Sequence, residues 1–186
     1  LARSPEAMVA ATALTGTAAS GRILLAAPIT QDEIEQRFAD QIENVEEVTF
    51  DRGAMALRAR RRRSLHAITF SESPMPLKPS AETAREFADG LIAVGLDRLP
   101  WSKQAKQWRD RVMFLRKAED DSWPDLSDAA LAARADAWLV PALYDKTALK
   151  DLSAGDLSDA LMALLPWDLR ARLDREAPTH FEAPTG

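Results

Sequence analysis

The chain has 186 residues, 46% of them hydrophobic and 28% charged, with a formal net charge of −5, a balance that excludes wholesale disorder and a generally basic nucleic-acid-coating protein. No cysteine occurs, which excludes disulfide frameworks, thiol nucleophiles, iron–sulfur clusters and cysteine-based zinc sites, and the two histidines, His66 and His180, are too few for a multi-histidine metal centre. No apolar run approaches the ~18 residues that a membrane span needs.

The first residue is Leu1, not Met, so a fragment or a processed product is expected. Arg3 followed by the apolar stretch Ala7 to Leu14 looks superficially like a signal peptide, but the stretch is short and Glu6 breaks the basic leader. Met8 to Leu14 and Arg22 to Ile29 are apolar runs separated by small residues and glycines, a hairpin pattern. Thr30 with Glu33 forms a capping-box signal for a short helix, with Ile34 and Phe38 on one face. Val45 to Phe50 reads as a strand ending at the turn Asp51-Arg52-Gly53, and Met55 to Phe70 as one long strand or two. Five short strands and one helix fit a small barrel, of which the OB-fold is one type. Ser73 to Pro79 holds three prolines and reads as a linker.

The remainder reads as helical. Ser80 caps a helix to Val94 that Gly95 ends, with Phe87, Leu91 and Ile92 inward. Pro100 opens a second helix, and Trp101, Ala105, Trp108, Val112 and Leu115 form its apolar stripe. Ser127 caps a third, stopped by Pro141; a fourth runs from about Asp156 to Leu165; Pro166 opens a fifth that ends near Glu176. Leu99-Pro100-Trp101 is echoed by Leu165-Pro166-Trp167, which predicts that each tryptophan anchors a helix start in the core. The predicted fold is α+β: an N-terminal antiparallel OB-like β-barrel over 1–73, a Pro-rich linker over 74–79, a helical bundle over 80–178 and a tail over 179–186.

Several patterns with chemical potential have structural explanations. Gly16 to Ile23 approaches a phosphate-binding loop, but Arg22 replaces the lysine, Ile23 replaces the hydroxyl, and a strand follows instead of a helix; a hairpin turn explains the glycines. Asp120, Asp121, Asp125 and Asp128 lack the glycine and glutamate of a calcium loop, and Asp125, Ser127 and Asp128 read as a helix start. His180 has no nucleophile motif to serve, and His66 reads as a sheet residue, so an independent hydrolase is not supported. The charge feature above background is Arg58, Arg60, Arg61, Arg62 and Arg63. On a strand, Arg58, Arg60 and Arg62 share one face and Arg61 and Arg63 the other. Either they track phosphates, or Glu43, Glu46 and Glu47 of the preceding strand neutralise them. Lys103 and Lys106 with Arg109 or Arg111 form a second, weaker basic patch on the polar side of a helix, where a solvated face is the ordinary explanation.

Taken in order, Gly21-Arg22-Ile23-Leu24-Leu25-Ala26-Ala27-Pro28-Ile29, Val45-Glu46-Glu47-Val48, the Arg58–Arg63 run with Ser64-Leu65, Leu99-Pro100-Trp101-Ser102, Trp123-Pro124-Asp125-Leu126-Ser127-Asp128, Leu164-Leu165-Pro166-Trp167 and Ala177-Pro178-Thr179-His180-Phe181 with Pro184-Thr185-Gly186 resemble the C-terminal region of bacterial HrpB-type ATP-dependent helicases, relatives of the DEAH/RHA RNA helicases. The resemblance implies an accessory piece that does not hydrolyse ATP, with the phosphate-binding loop, the DEAH box, ATP and Mg²⁺ belonging to RecA-like motor domains outside this sequence. It further implies no cofactor for the piece itself and contact of Arg58 to Arg63 with single-stranded RNA, another nucleic acid or the motor domains; the lack of cysteine, signal and membrane span fits a cytoplasmic setting. A protein-interaction scaffold without nucleic-acid binding is the alternative.

Overall fold

A computed structural model describes residues 8–17, 20–119 and 122–179. The chain divides into two compact units, residues 1–47 with 59–76 and residues 48–58 with 77–186.

In the first unit β1 (Met8–Thr17) and β2 (Ser20–Ile29) pair antiparallel, with Met8 opposite Ile29 and Gly16 opposite Gly21. Helix α1 (Gln31–Arg37) follows, and the expected capping box is present: the Thr30 hydroxyl accepts from the Glu33 amide at 3.2 Å while the Thr30 amide donates to the Glu33 carboxylate at 2.8 Å. Ile34 points from α1 into a small core with Leu65 and Phe70, against which Ile29 and Ile42 pack; Phe38 is 37% exposed. Strands β3 (Glu43–Asp51), β4 (Ala56–Leu65) and β5 (Ile68–Pro74) form a sheet in the order β3-β4-β5. Strands β4 and β5 pair antiparallel and turn at His66, whose φ of 51° places it in the left-handed region, so this histidine is an exposed turn residue instead of a sheet residue.

The expected OB-like barrel is not what the described residues form, since the strands make separate sheets of two and three strands. A closed barrel needs one face of each strand filled from inside. Strand β2 is exposed along its length up to Ile29, with Leu24 62% exposed, so its apolar run lines no interior. A continuous apolar run of this kind reads as a strand buried on both faces, which is why its exposure here was not legible.

Among its described residues the second unit combines a hairpin tip with six α-helices. At the tip the Asp51 carboxylate accepts from the Gly53 and Ala54 amides, and these bonds hold it below the usual carboxylate range. Two backbone bonds of 2.8 Å, Leu57 N to Thr147 O and Leu149 N to Met55 O, join the tip to the segment around Ala148. Helix α2 (Ala81–Val94) carries the capping box of Ser80 and Thr83 and ends at Gly95 with φ 122°, a conformation that favours glycine. Helix α3 (Lys103–Glu119) starts later than Pro100 because the Ser102 hydroxyl caps the Ala105 amide at 3.0 Å.

The single helix expected after Ser127 is two, α4 (Asp128–Ala133) and α5 (Ala135–Ala142), broken at Arg134. Pro141 lies inside the last turn of α5, where it removes one hydrogen bond without ending the helix. Helix α6 (Ala154–Met162) is capped by Ser153 with Asp156, and α7 (Trp167–Glu176) follows Pro166. Phe87, Leu91, Trp123, Leu139 and Leu157 lie at the centre of the core, and Trp138 stacks on Trp101 at 6.0 Å between centroids. The Trp101 indole N–H donates to Leu96 O at 2.7 Å, so this tryptophan anchors its helix start as expected. Trp167 does not: it is 82% exposed, because α7 buries Leu173 and half-buries Leu169, and the residue two positions before Leu169 faces away.

Two contacts organise this unit. Phe50 from the hairpin tip lies 5.9 Å from Phe87 between ring centroids, directly over Gly90 of α2. A Cβ at position 90 would sit 2.2 Å from Phe50 Cγ. At the other end Arg172 of α7 donates to Glu119 of α3 at 2.7 Å and to Glu176 at 2.9 and 3.1 Å, and its guanidinium lies 5.4 Å from the centre of the Trp123 ring. Arg111 of α3 completes the tie through Asp174 at 2.7 Å and Leu173 O at 3.1 Å.

Gly90→Ala should lower the melting temperature. Overpacking a filled site costs about 1–3 kcal/mol, which exceeds the ~1 kcal/mol that alanine gains over glycine in an exposed helix. Melting the variant checks this, with a loss of roughly 2–4 °C expected per kcal/mol; a rise would show that helix propensity wins. Hydrogen bonds from Arg172, then from Arg175, lower the Glu176 carboxyl from 4.5 to about 2. A carboxyl depressed by folding stabilises fully above its unfolded value, and that stabilisation is lost as the pH falls from about 4.5 to about 2. Acid melting of wild type beside Arg172→Gln should show the larger loss over that window in wild type.

Candidate nucleic-acid interface

Strand β4 delivers the arginines. Leu57 and Ala59 are buried on one face while Arg58 and Arg60 are exposed on the other, the alternation of a half-buried strand. The pattern breaks further on: Arg61 and Arg62 are both exposed, and Ser64 and Leu65 both buried, next to a register shift between Arg63 and Ser64.

Within the first unit Arg60 pairs with Glu72 at 2.5 Å, Arg61 with Glu46 at 2.6 Å and Arg63 with Glu35 at 2.7 Å. In the second unit Arg58 pairs with Asp51 at 3.2 Å. Arg62 makes no ion pair or side-chain hydrogen bond among the described residues, although it lies opposite Glu72 in the β4–β5 register. Glu72 reaches diagonally to Arg60 instead. Of the acids expected as partners, Glu46 serves; Glu43 and Glu47 make no ion pair among the described residues, while Glu35 of α1 and Glu72 of β5 take their places. The Gln31 side chain, then Arg63, holds the Glu35 carboxyl below its ordinary value.

The cations of α3 divide by role. Lys103 and Lys106 are exposed and make no ion pair among the described residues. Arg109 is 24% exposed; its Nε donates to Leu126 O at 2.6 Å and its Nη2 to Asp128 at 2.7 Å, which ties α3 to the start of α4. There Ser127 caps the Ala130 amide, and Asp125 accepts from the Ser127 amide, which holds its carboxyl low. Asp125 and Asp128 are thus a helix start, as expected; Asp120 and Asp121 lie outside the described residues, as do His180 and Pro184 to Gly186. Among the described residues no three His, Asp or Glu side chains are grouped to hold a metal ion, and no helix is long and apolar enough to cross a membrane.

An open cleft of about 750 Å³ in the second unit brings Arg58 together with Arg98 and Lys150. Nothing in the sequence groups these three, because the contact depends on the backbone pairing of Ala56 with Ala148.

Arg109→Ala should destabilise the fold by about 1–2 kcal/mol, as expected when a charged donor to a part-buried carbonyl is removed. Lys103→Ala and Lys106→Ala should stay within about 0.5 kcal/mol of wild type. Denaturant unfolding of the three variants separates the structural cation from the free ones.

A family profile described as "ATP-dependent helicase C-terminal" matches residues 138–186. The chain is 32% identical over 183 residues to a protein of Escherichia coli (strain K12) named ATP-dependent RNA helicase HrpB, covering 97% of this chain and 23% of that one. Two crystal structures of the E. coli protein are similar, one described as a DExH-box NTPase (TM-score 0.55, 32% identity) and one as a DEAH/RHA helicase (TM-score 0.56, 27% identity), each match covering 96% of this chain and 22% of the other. The chain therefore spans less than a quarter of the relatives it matches. Across nearly its whole length it corresponds to the C-terminal region of HrpB-type helicases.

Proposed function

We propose that the chain is an accessory C-terminal part of an ATP-dependent RNA helicase, one that contributes contact with single-stranded RNA or another nucleic acid and leaves ATP hydrolysis, with its Mg²⁺, to motor domains outside this sequence, in the cytoplasm. The observation that carries this reading is Arg62, exposed and without a carboxylate partner among the described residues, within a row of cations. The neighbouring pairs do not close the row. The Arg60 and Arg61 side chains are each 58% exposed, and exposed pairs contribute about 0–1 kcal/mol, so a phosphate can replace the carboxylate. Arginine binds phosphate through two parallel N–H groups, which suits it to that exchange. Lys103 and Lys106 are free to add contacts. Among the described residues no exposed aromatic side chain lies on β4 or β5 beside the row, which favours backbone tracking over base reading.

The scaffold reading has its own support. Leu14, Ile23 and Leu24 on β1 and β2 and Trp167 on α7 are more than half exposed, and exposed apolar groups are suited to docking on motor domains or another protein.

Fluorescence anisotropy with a labelled single-stranded RNA decides between them. Wild type should bind and weaken with salt, with a log–log slope of roughly −0.7 per phosphate contact. Arg60→Glu with Arg62→Glu should bind much more weakly. Absence of binding by wild type, with co-elution of the motor fragment, would establish the scaffold reading instead.

A further inference from the structure

We propose that the cleft of the second unit is a phosphate-binding subsite that seats one phosphodiester group of a single-stranded nucleic acid, with Arg98 and Lys150 as its principal ligands and Arg58 at its edge. This rests on the nucleic-acid reading above and adds a site outside the first unit's arginines. Among the described residues three cations line the cleft and no acidic residue does. Arg98 and Lys150 are exposed and make no ion pair or side-chain hydrogen bond among the described residues. Asp51 accepts from Gly53, Ala54 and Arg58, so it neutralises the cation at the edge and leaves Arg98 and Lys150 unpaired, while Asp151 accepts from the Ala148 amide at 3.1 Å.

Arg98 and Lys150, two unpaired like charges in one concavity, repel one another, and an anion relieves the repulsion; low-dielectric walls strengthen its field. The walls are held by backbone bonds, Leu57 N to Thr147 O and Leu149 N to Met55 O, so the site exists before ligand arrives. Its volume of about 750 Å³ is ample for a nucleotide unit, and Met55, Leu149 and Leu152 offer an apolar wall to the sugar and base. With no aromatic side chain in the lining, the site holds the strand without reading its sequence.

The test compares four forms of the full 186-residue chain: wild type, Arg98→Glu/Lys150→Glu, Arg60→Glu/Arg62→Glu, and the charge-neutral Arg98→Ala/Lys150→Ala, each verified as folded by circular dichroism. Anisotropy uses a fluorescein-labelled oligouridylate, with inorganic phosphate and polyglutamate as competitors. Both cleft variants should weaken binding about tenfold or more and reduce the salt slope, with Arg60 and Arg62 intact. Amide shifts on oligouridylate addition should centre on Arg98 and Ala148 to Lys150. Cleft variants that bind within twofold of wild type, while Arg60→Glu/Arg62→Glu abolishes binding, would overturn the subsite and leave the strand reading standing. Loss in the cleft variants alone would support the subsite and remove the strand from the interface. Polyglutamate competing as well as RNA at equal charge would overturn the subsite as a nucleic-acid site in favour of an acidic protein segment. Displacement by millimolar inorganic phosphate would show a site that takes free phosphate and would overturn its assignment to a strand. No binding by wild type would overturn both readings.

Discussion

The absence of a side chain at position 90 is the constraint on which the second unit depends. Helix α2 would be more stable with almost any other residue there, yet only glycine lets the Phe50 ring lie against the helix backbone. Burial of Phe50 beside Phe87 fixes the hairpin tip, the tip presents Met55 and Leu57 to the segment around Ala148, and that pairing shapes the cleft. A local loss of helix propensity is thereby exchanged for a long-range contact, as occurs when packing overrides intrinsic preference.

Much of the secondary structure was legible because its signals are local. Thr30 with Glu33 and Ser80 with Gly95 mark helix ends through hydrogen bonds that span three or four residues. What stayed hidden was set over longer distances. Residues 48–58 read as part of the strand-rich half, yet they complete the helical core, since only the fold brings Phe50 to Gly90. The two Leu-Pro-Trp sequences are identical, and their tryptophans end in opposite surroundings because neighbouring leucines decide which face of the helix is buried.

The candidate site shows the same division. The arginine run was visible because it is contiguous, and its pairing with Glu46 followed from strand adjacency. Pairing with Glu35 did not, because it depends on where α1 lies against its own sheet. Arg109 looked like one more solvated cation, and its bond to Leu126 O could be found only once the chain after α3 had been traced back onto it. Arg98 and Lys150 carry no pattern at all, being isolated cations in two separate single 3-10 turns, Leu96–Arg98 and Leu149–Asp151.

The β1–β2 ribbon bears on how the chain behaves in concentrated solution. Among the described residues each of its strands has one neighbouring strand, and Ile23 and Leu24 on β2 are more than half exposed. Apolar strands with open edges template cross-strand growth between molecules. Arg22 and Pro28 stand at the two ends of that run, one charged and one lacking a donor, as gatekeepers of the kind that interrupt such growth. Replacing Arg22 or Pro28 by an apolar residue would remove one of those interruptions and lengthen the exposed apolar stretch that another molecule can meet.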